Sequence, residues 1–302
     1  MTAVYILACV LLVLAVVLLV GGIAIATAVA KPKRWSTPDT IRNEAEKGFL
    51  RDYDALPKEA FCVTSFDGYE LNATYIPCPG SHKFVILSHG HTYTRYGSVK
   101  YLHLFRRLGY HAVIYDDRAH GDNRKAVCTM GIKESRDLAA MIDYIYGRFG
   151  HDVLLGLHGE SLGGALTLMA LRAKPKVAFV ICDCAYARLE WIVRAQIRRF
   201  HLPMLLFAAA DTACRALYGY RLSEANPMDG LAENTVPICF IHGAADAFTD
   251  RRHSEEMAKV NGGYTELHLI EGADHAMSFT TDEERYNRIC EAFIKKVTDG
   301  EV

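Results

Sequence analysis

The sequence predicts an α/β fold: a mostly parallel central sheet with helices on both faces, preceded by one N-terminal transmembrane helix. Three observations carry that expectation. From residue 83 onward, short apolar stretches alternate with stretches of helical periodicity, the pattern of parallel strands joined by crossover helices. Just ahead of them, two alternating runs flank Asp67-Gly68, the strongest short hairpin signal. Before both, residues 4–30 contain no charged side chain, and as a helix they would extend about 40 Å, more than the ~30 Å hydrocarbon core.

The first element is therefore read as a membrane anchor. A cleaved signal peptide is the rival, since "AVA" before Lys31 has the small-x-small form, but the apolar run is long and no Lys or Arg precedes it. "KPKR" at 31–34 follows at once, and the positive-inside rule then places the folded domain in the cytoplasm. Nine cysteines agree with that side: an odd number cannot all pair, and no regular disulfide spacing is present. Residues 1–34 are thus anchor and basic flank. Residues 35–58 are polar and read as a helical linker lifting the domain off the membrane.

The folded domain takes the rest, 59–302. "FCVTSF" and "YELNATYI" around the Asp-Gly pair form an antiparallel edge. "KFVILSHG" precedes a helix at about 98–108, "YHAVIYDD" one at 134–149, and "DVLLGLHG" one that starts at Ser161. "KVAFVICDCA" leads into a helical insertion, about 186–230, where a cap would sit. "VPICFIHG" precedes a helix at about 251–260, and "YTELHLIE" the last, at about 282–297. With 51% hydrophobic residues the chain can bury a sizeable core, and a net charge of −1 gives no electrostatic reason to expect nucleic acid as a partner.

Ligands of such sheets bind beyond the carboxyl ends of the strands, and the chemistry-bearing residues collect there. Gly159-Glu160-Ser161-Leu162-Gly163 satisfies G-x-S-x-G in a strand-turn-helix setting, which is the context of a nucleophile elbow. The serine takes a strained turn that exposes its hydroxyl, and the flanking glycines let strand and helix approach. The Leu162 amide, free at the helix start, is one candidate oxyanion donor; the amide of His91, or alternatively Thr92, in the loop after "VILSHG" is the other. A serine needs a base oriented by a carboxylate. Asp246 and His275 follow in the required order, each just past a strand. Asp250 reads instead as a helix cap, and the side chain of Asp274 would diverge from its neighbour His275. A histidine base implies activity that falls on acidification through the ordinary histidine range, about 6.5.

His89, His158 and His242 also end strands, each before a glycine. They lack the helical spacing or cysteine pattern of a metal site, and strand-end histidines often hydrogen-bond loop backbone. No metal or other cofactor is expected.

The stretches "SHGHTYTRYG", "YDDRAHGDN", "GESLGGA", "HGAADAFTD" and "GADHAMSF" together resemble the α/β-hydrolase superfamily, in particular its monoacylglycerol-lipase-like and serine-aminopeptidase-like branch, which includes membrane-tethered members. The resemblance covers about residues 60–297. It implies an α/β-hydrolase fold with a short helical cap, Ser161 as nucleophile, Asp246 as orienting acid and His275 as base. "DDRAHG" is then a structural turn whose usual first glycine is here Ala119, and Glu160 a buried support. The implied activity is hydrolysis of a carboxylic ester or thioester, lipid-like or small. Two other readings stand beside it. A peptidase would need an acidic group for the substrate ammonium, with Glu190 and Glu224 of the cap as candidates, and the fold could also serve as a non-catalytic binding protein. The cap mixes large apolar groups with Arg194, Arg198 and Arg199: either a lid touching the anionic leaflet, or a helix pair with a buried apolar face and solvated arginines.

Overall fold

The structure, a computed structural model, describes residues 1–302. Helix α1 (Thr2–Ala30) is long and apolar enough to cross a bilayer. Helix α2 (Thr37–Glu46) starts where the Ser36 hydroxyl accepts from the Asp39 amide, with a proline in the first turn. Strands β1 (Glu59–Thr64) and β2 (Glu70–Ile76) pair antiparallel, and their turn closes with Gly68 at φ 75°, where a side chain would be strained.

The alternating region follows as expected. β3 (Lys83–Ser88) leads through a 3-10 turn into α3 (Leu102–Arg107), β4 (Tyr110–Tyr115) into α4 (Glu134–Phe149), and β5 (Leu154–Glu160) into α5 (Leu162–Ala170). After β6 (Phe179–Asp183) come the cap helices α6 (Leu189–Arg199) and α7 (Leu205–Tyr218). β7 (Ile238–Gly243) precedes α8 (Arg252–Val260), and β8 (Thr265–Ile270) precedes the short α9 (Ser278–Thr281) and the long α10 (Glu283–Thr298).

The eight strands form one sheet in the order β1-β2-β4-β3-β5-β6-β7-β8. β2 is antiparallel to both neighbours, and every other pairing is parallel. Alternate residues of β3 feed opposite faces: Phe84 and Ile86 join the core beneath α4 and α5, Val85 and Leu87 the core beneath α3 and α10. The carboxyl ends of β3 to β8 therefore open on a single edge. Backbone strain gathers there too. Thr92, Ala119, Ser161, Cys184 and Ala276, each in a segment that follows one of these strands, all have φ between 45° and 70°.

The N-terminal region differs from the sequence expectation. Residues 35–58 do not hold the domain at a distance: α2 lies against it, with Thr40 and Glu44 buried and the Tyr93 hydroxyl donating to Glu44 Oε1 at 2.5 Å. α1 is not exposed along its whole length either. Gly22, Ala26 and Ala30 form a buried stripe four residues apart and pack against α7, where a Cβ on Gly22 would strike the backbone of Ala209. Small side chains let two helices meet this closely.

Candidate active site

Ser161 alone makes the turn between β5 and α5, with φ 56° and ψ −113°. Its neighbours make the turn possible. A Cβ on Gly159 would collide with the Gly163 carbonyl, and a Cβ on Gly163 with the Ser88 carbonyl, so both glycines are required by backbone contact. The Ser161 amide donates to the Asp183 carbonyl at 2.8 Å, which pins the turn to β6.

The hydroxyl of Ser161 lies 2.9 Å from His275 Nε2, and His275 Nδ1 lies 2.7 Å from Asp246 Oδ2. Asp246 is buried, which alone would push its carboxyl up, but hydrogen bonds from His242 and His275 outweigh that and hold it well below the usual carboxylate range. Its other oxygen accepts from the Phe248 and Thr249 amides at 2.9 and 2.7 Å. An ionised Asp246 fixes the tautomer: His275 donates from Nδ1, so Nε2 is left to accept from the Ser161 hydroxyl. The three residues that sequence order brought forward are thus one hydrogen-bonded chain.

His242 is a contributor that sequence reasoning treated only as a loop support. Its Nε2 donates to the Thr249 carbonyl at 2.7 Å and lies 3.3 Å from Asp246 Oδ2, while Ser254 bonds to Nδ1 at 2.7 Å. It fastens the Asp246 loop from behind. The one available signal was its position four residues before Asp246.

The competing acids are occupied elsewhere. Asp250 accepts from the Arg252 amide at the start of α8, as a cap should, and Asp274 accepts from the amides of Ala247 and His275 rather than from the imidazole. Glu160 is buried between Lys100 and Tyr101, whose hydroxyl donates to it at 2.6 Å; burial opposes its charge, but Lys100 lowers its pKa below the ordinary value. It holds the floor of the elbow.

Of the two amides open as the second oxyanion donor, that of Thr92 donates to His120 Nε2 at 3.1 Å, whereas that of His91 makes no hydrogen bond. Leu162 is the first residue of α5, and its amide has no intrahelical acceptor. The other strand-end histidines have local partners. His89 donates to the Gly90 carbonyl and accepts from the Asp117 amide, and His158 bonds to the Tyr286 hydroxyl, with burial lowering its pKa to about 3. His91, His120 and Cys128 converge within 4.8 Å, but both ring nitrogens of His120 are engaged, by the Arg118 carbonyl and the Thr92 amide.

Ser161, Leu162 and His91 open into a cavity of about 330 Å³ under the cap. Thirteen of its seventeen lining residues are hydrophobic and none is acidic, so the space suits an apolar group. α6 supplies one wall through Leu189, Ile192, Val193 and Ile197; Ile25 and Val29 of α1 supply another. That second wall was invisible in the sequence, where residues 4–30 read as membrane throughout. A larger cleft of about 640 Å³ beside α2 and α3 is lined by charged groups and does not reach Ser161.

The sequence pattern of the alpha/beta hydrolase family matches residues 85–289. The uncharacterized protein YqkD of Bacillus subtilis is 28% identical over 276 residues, covering 89% of this chain and 90% of its own. Among solved structures, a Pyrococcus furiosus esterase superimposes with a TM-score of 0.68 at 22% identity, over 82% of this chain and 94% of that one. An acylaminoacyl peptidase of Pyrococcus horikoshii gives 0.62 at 18%, over 80% and 42%, and an Exiguobacterium antarcticum esterase 0.56 at 17%, over 78% and 100%. The match runs from the first parallel strand into the last helix and spans Ser161, Asp246 and His275: the chain belongs to the alpha/beta hydrolase family.

Proposed function

We propose that the chain is a serine hydrolase that cleaves carboxylic esters or thioesters through an acyl-enzyme on Ser161, held at a membrane by α1 with its catalytic domain on the cytoplasmic side. The observation that carries this reading is the hydrogen-bonded series Ser161, His275, Asp246 at 2.9 and 2.7 Å, with Ser161 strained toward an apolar cavity. In the first half-reaction Ser161 Oγ attacks the carbonyl carbon while His275 Nε2 takes the hydroxyl proton. The Leu162 and His91 amides hold the oxyanion, and His275 returns the proton to the leaving alcohol or thiol as the bond breaks. Water then repeats the sequence on the acyl-enzyme and releases the acid.

Esterase neighbours of the same fold support the substrate class. The lining of the cavity favours an ester over an aminoacyl amide. Glu190 is paired with Arg194 at 2.6 Å, Glu224 accepts from the Arg221 amide at 2.9 Å, and neither lines the cavity, so no carboxylate awaits a substrate ammonium. The orientation rests on the basic flank "KPKR" after an N-terminal side without Lys or Arg.

A fluorophosphonate probe should label wild type at Ser161 and leave Ser161→Ala unlabelled. A panel of acyl esters and aminoacyl amides then tests the class: ester turnover with little amide turnover is expected. A folded protein that neither labels nor cleaves any activated ester is a binding protein, and the hydrolase reading fails.

A further inference from the structure

α1 changes character partway along. From Val4 to Val20 its large side chains are exposed except Leu18, which packs partly against the core, whereas Gly22, Ala26 and Ala30 are buried on α7. The exposed stretch, residues 2–20, is about 28 Å long as a helix, close to the ~30 Å hydrocarbon thickness by itself. The following ten residues belong to the domain. Contacts between α1 and α7 rise together in number, Gly21 with Leu206, Gly22 with Ala209 and Thr27 with Tyr218 at 2.8 Å, so the two helices run in the same direction. The amino end of α7 and the loop before it therefore lie where α1 leaves the domain.

That loop is unusually apolar for a surface. Phe200 is 67% exposed, Leu202 46% and Leu205 66%, with the exposed Arg198 and Arg199 beside them. Phe200 and Leu202 also line the cavity at Ser161, together with Ile25, Ala28 and Val29 of α1. A cavity rim, a row of exposed apolar side chains, two arginines and the foot of a bilayer-length helix thus share one end of the molecule. Apolar side chains beside arginines suit the boundary between acyl chains and anionic headgroups.

We infer that α1 is the wall of the acyl pocket as well as a tether, and that the substrate is an acyl ester resident in the bilayer, which reaches Ser161 sideways past Phe200 and Leu202. The inference rests on the hydrolase reading above and adds the substrate's location and the residues that set its chain. At about 30 Å³ for each water-sized group, the cavity accepts on the order of ten chain atoms. Ile25 then helps to decide which acyl chain fits.

The test uses the full chain in phospholipid vesicles, with p-nitrophenyl acetate and p-nitrophenyl decanoate as probes. Ile25→Trp should lower the decanoate-to-acetate ratio of kcat/KM at least tenfold. Ile23→Trp, on the same helix but outside the cavity, should leave it within twofold. Ile25→Ala, which keeps the helix and enlarges the space, should shift preference toward a longer chain. An unchanged ratio in both Ile25 variants overturns the wall, while loss of acetate hydrolysis and fluorophosphonate labelling in wild type overturns the hydrolase reading itself. For the bilayer route, the added emission of Leu205→Trp over wild type should be quenched by lipids brominated on their acyl chains. Unquenched emission places the rim in water and overturns sideways access.

Discussion

Asp246 and Asp183 are buried carboxyls close to Ser161 with opposite electrostatics. Asp246 keeps its charge because His242, His275 and two amides donate to it. Its asparagine variant could accept no proton from His275 Nδ1 through the amide nitrogen and would favour the wrong tautomer, so Asp246→Asn should fold normally and lose about 10³- to 10⁴-fold in kcat, measured on acetate esters. Asp183 has only Ser278 as a side-chain donor at 2.9 Å, and its second oxygen has no partner; burial raises its pKa to about 6. The folded state thus binds this proton more tightly than the unfolded chain, so stability falls as pH rises from about 4 to 6 and stays lower above that. Asp183→Asn removes a penalty on the order of 2–3 kcal/mol. The variant should unfold at a higher temperature than wild type at pH 8, with the gap closing below pH 4; a constant gap at both pH values contradicts the assignment.

Elements explain why the candidate site was easier to read than its surroundings. Ser161, Asp246 and His275 each lie within a few residues after a strand, and local chemistry marks each of them: glycines where backbones touch, an aspartate in a tight loop, a histidine one loop later. The turn at "DDRAHG" shows the same logic under strain, because Ala119 adopts φ 69° where the resemblance leads one to expect glycine, held by its amide donating to the Tyr69 hydroxyl at 3.0 Å. His242 and the wall of α1 were not legible, since each matters through a partner distant in sequence or through packing that no periodicity records. Two glycines separate these cases experimentally. Gly163→Ala forces a methyl onto the Ser88 carbonyl and should cost about 1–3 kcal/mol together with loss of probe labelling. Gly147→Ala in α4 meets open space and should raise stability by about 1 kcal/mol, read from thermal unfolding.

On the scale of the whole molecule, the mostly parallel sheet, the antiparallel edge and the helical insertion between β6 and β7 were legible from alternation and turn chemistry, whereas the order of the strands in the sheet was not. What the sequence could not convey was how the ends meet. An uncharged run reads as membrane from its first residue to its last, and only the packing of Gly22, Ala26 and Ala30 on α7 divides it into an exposed stretch and one packed on the domain. The basic flank after α1 consequently stands about 15 Å along the helix axis from the point of emergence, and Arg198 and Arg199 are the cations next to the rim. Thr27 meets Tyr218 across 191 residues. A ribosome therefore delivers α1 long before its partner helix exists, and the small-residue stripe waits unpaired until nearly three-quarters of the chain has been made. The cavity beside Ser161, walled in part by α1, is therefore among the last features to close during synthesis.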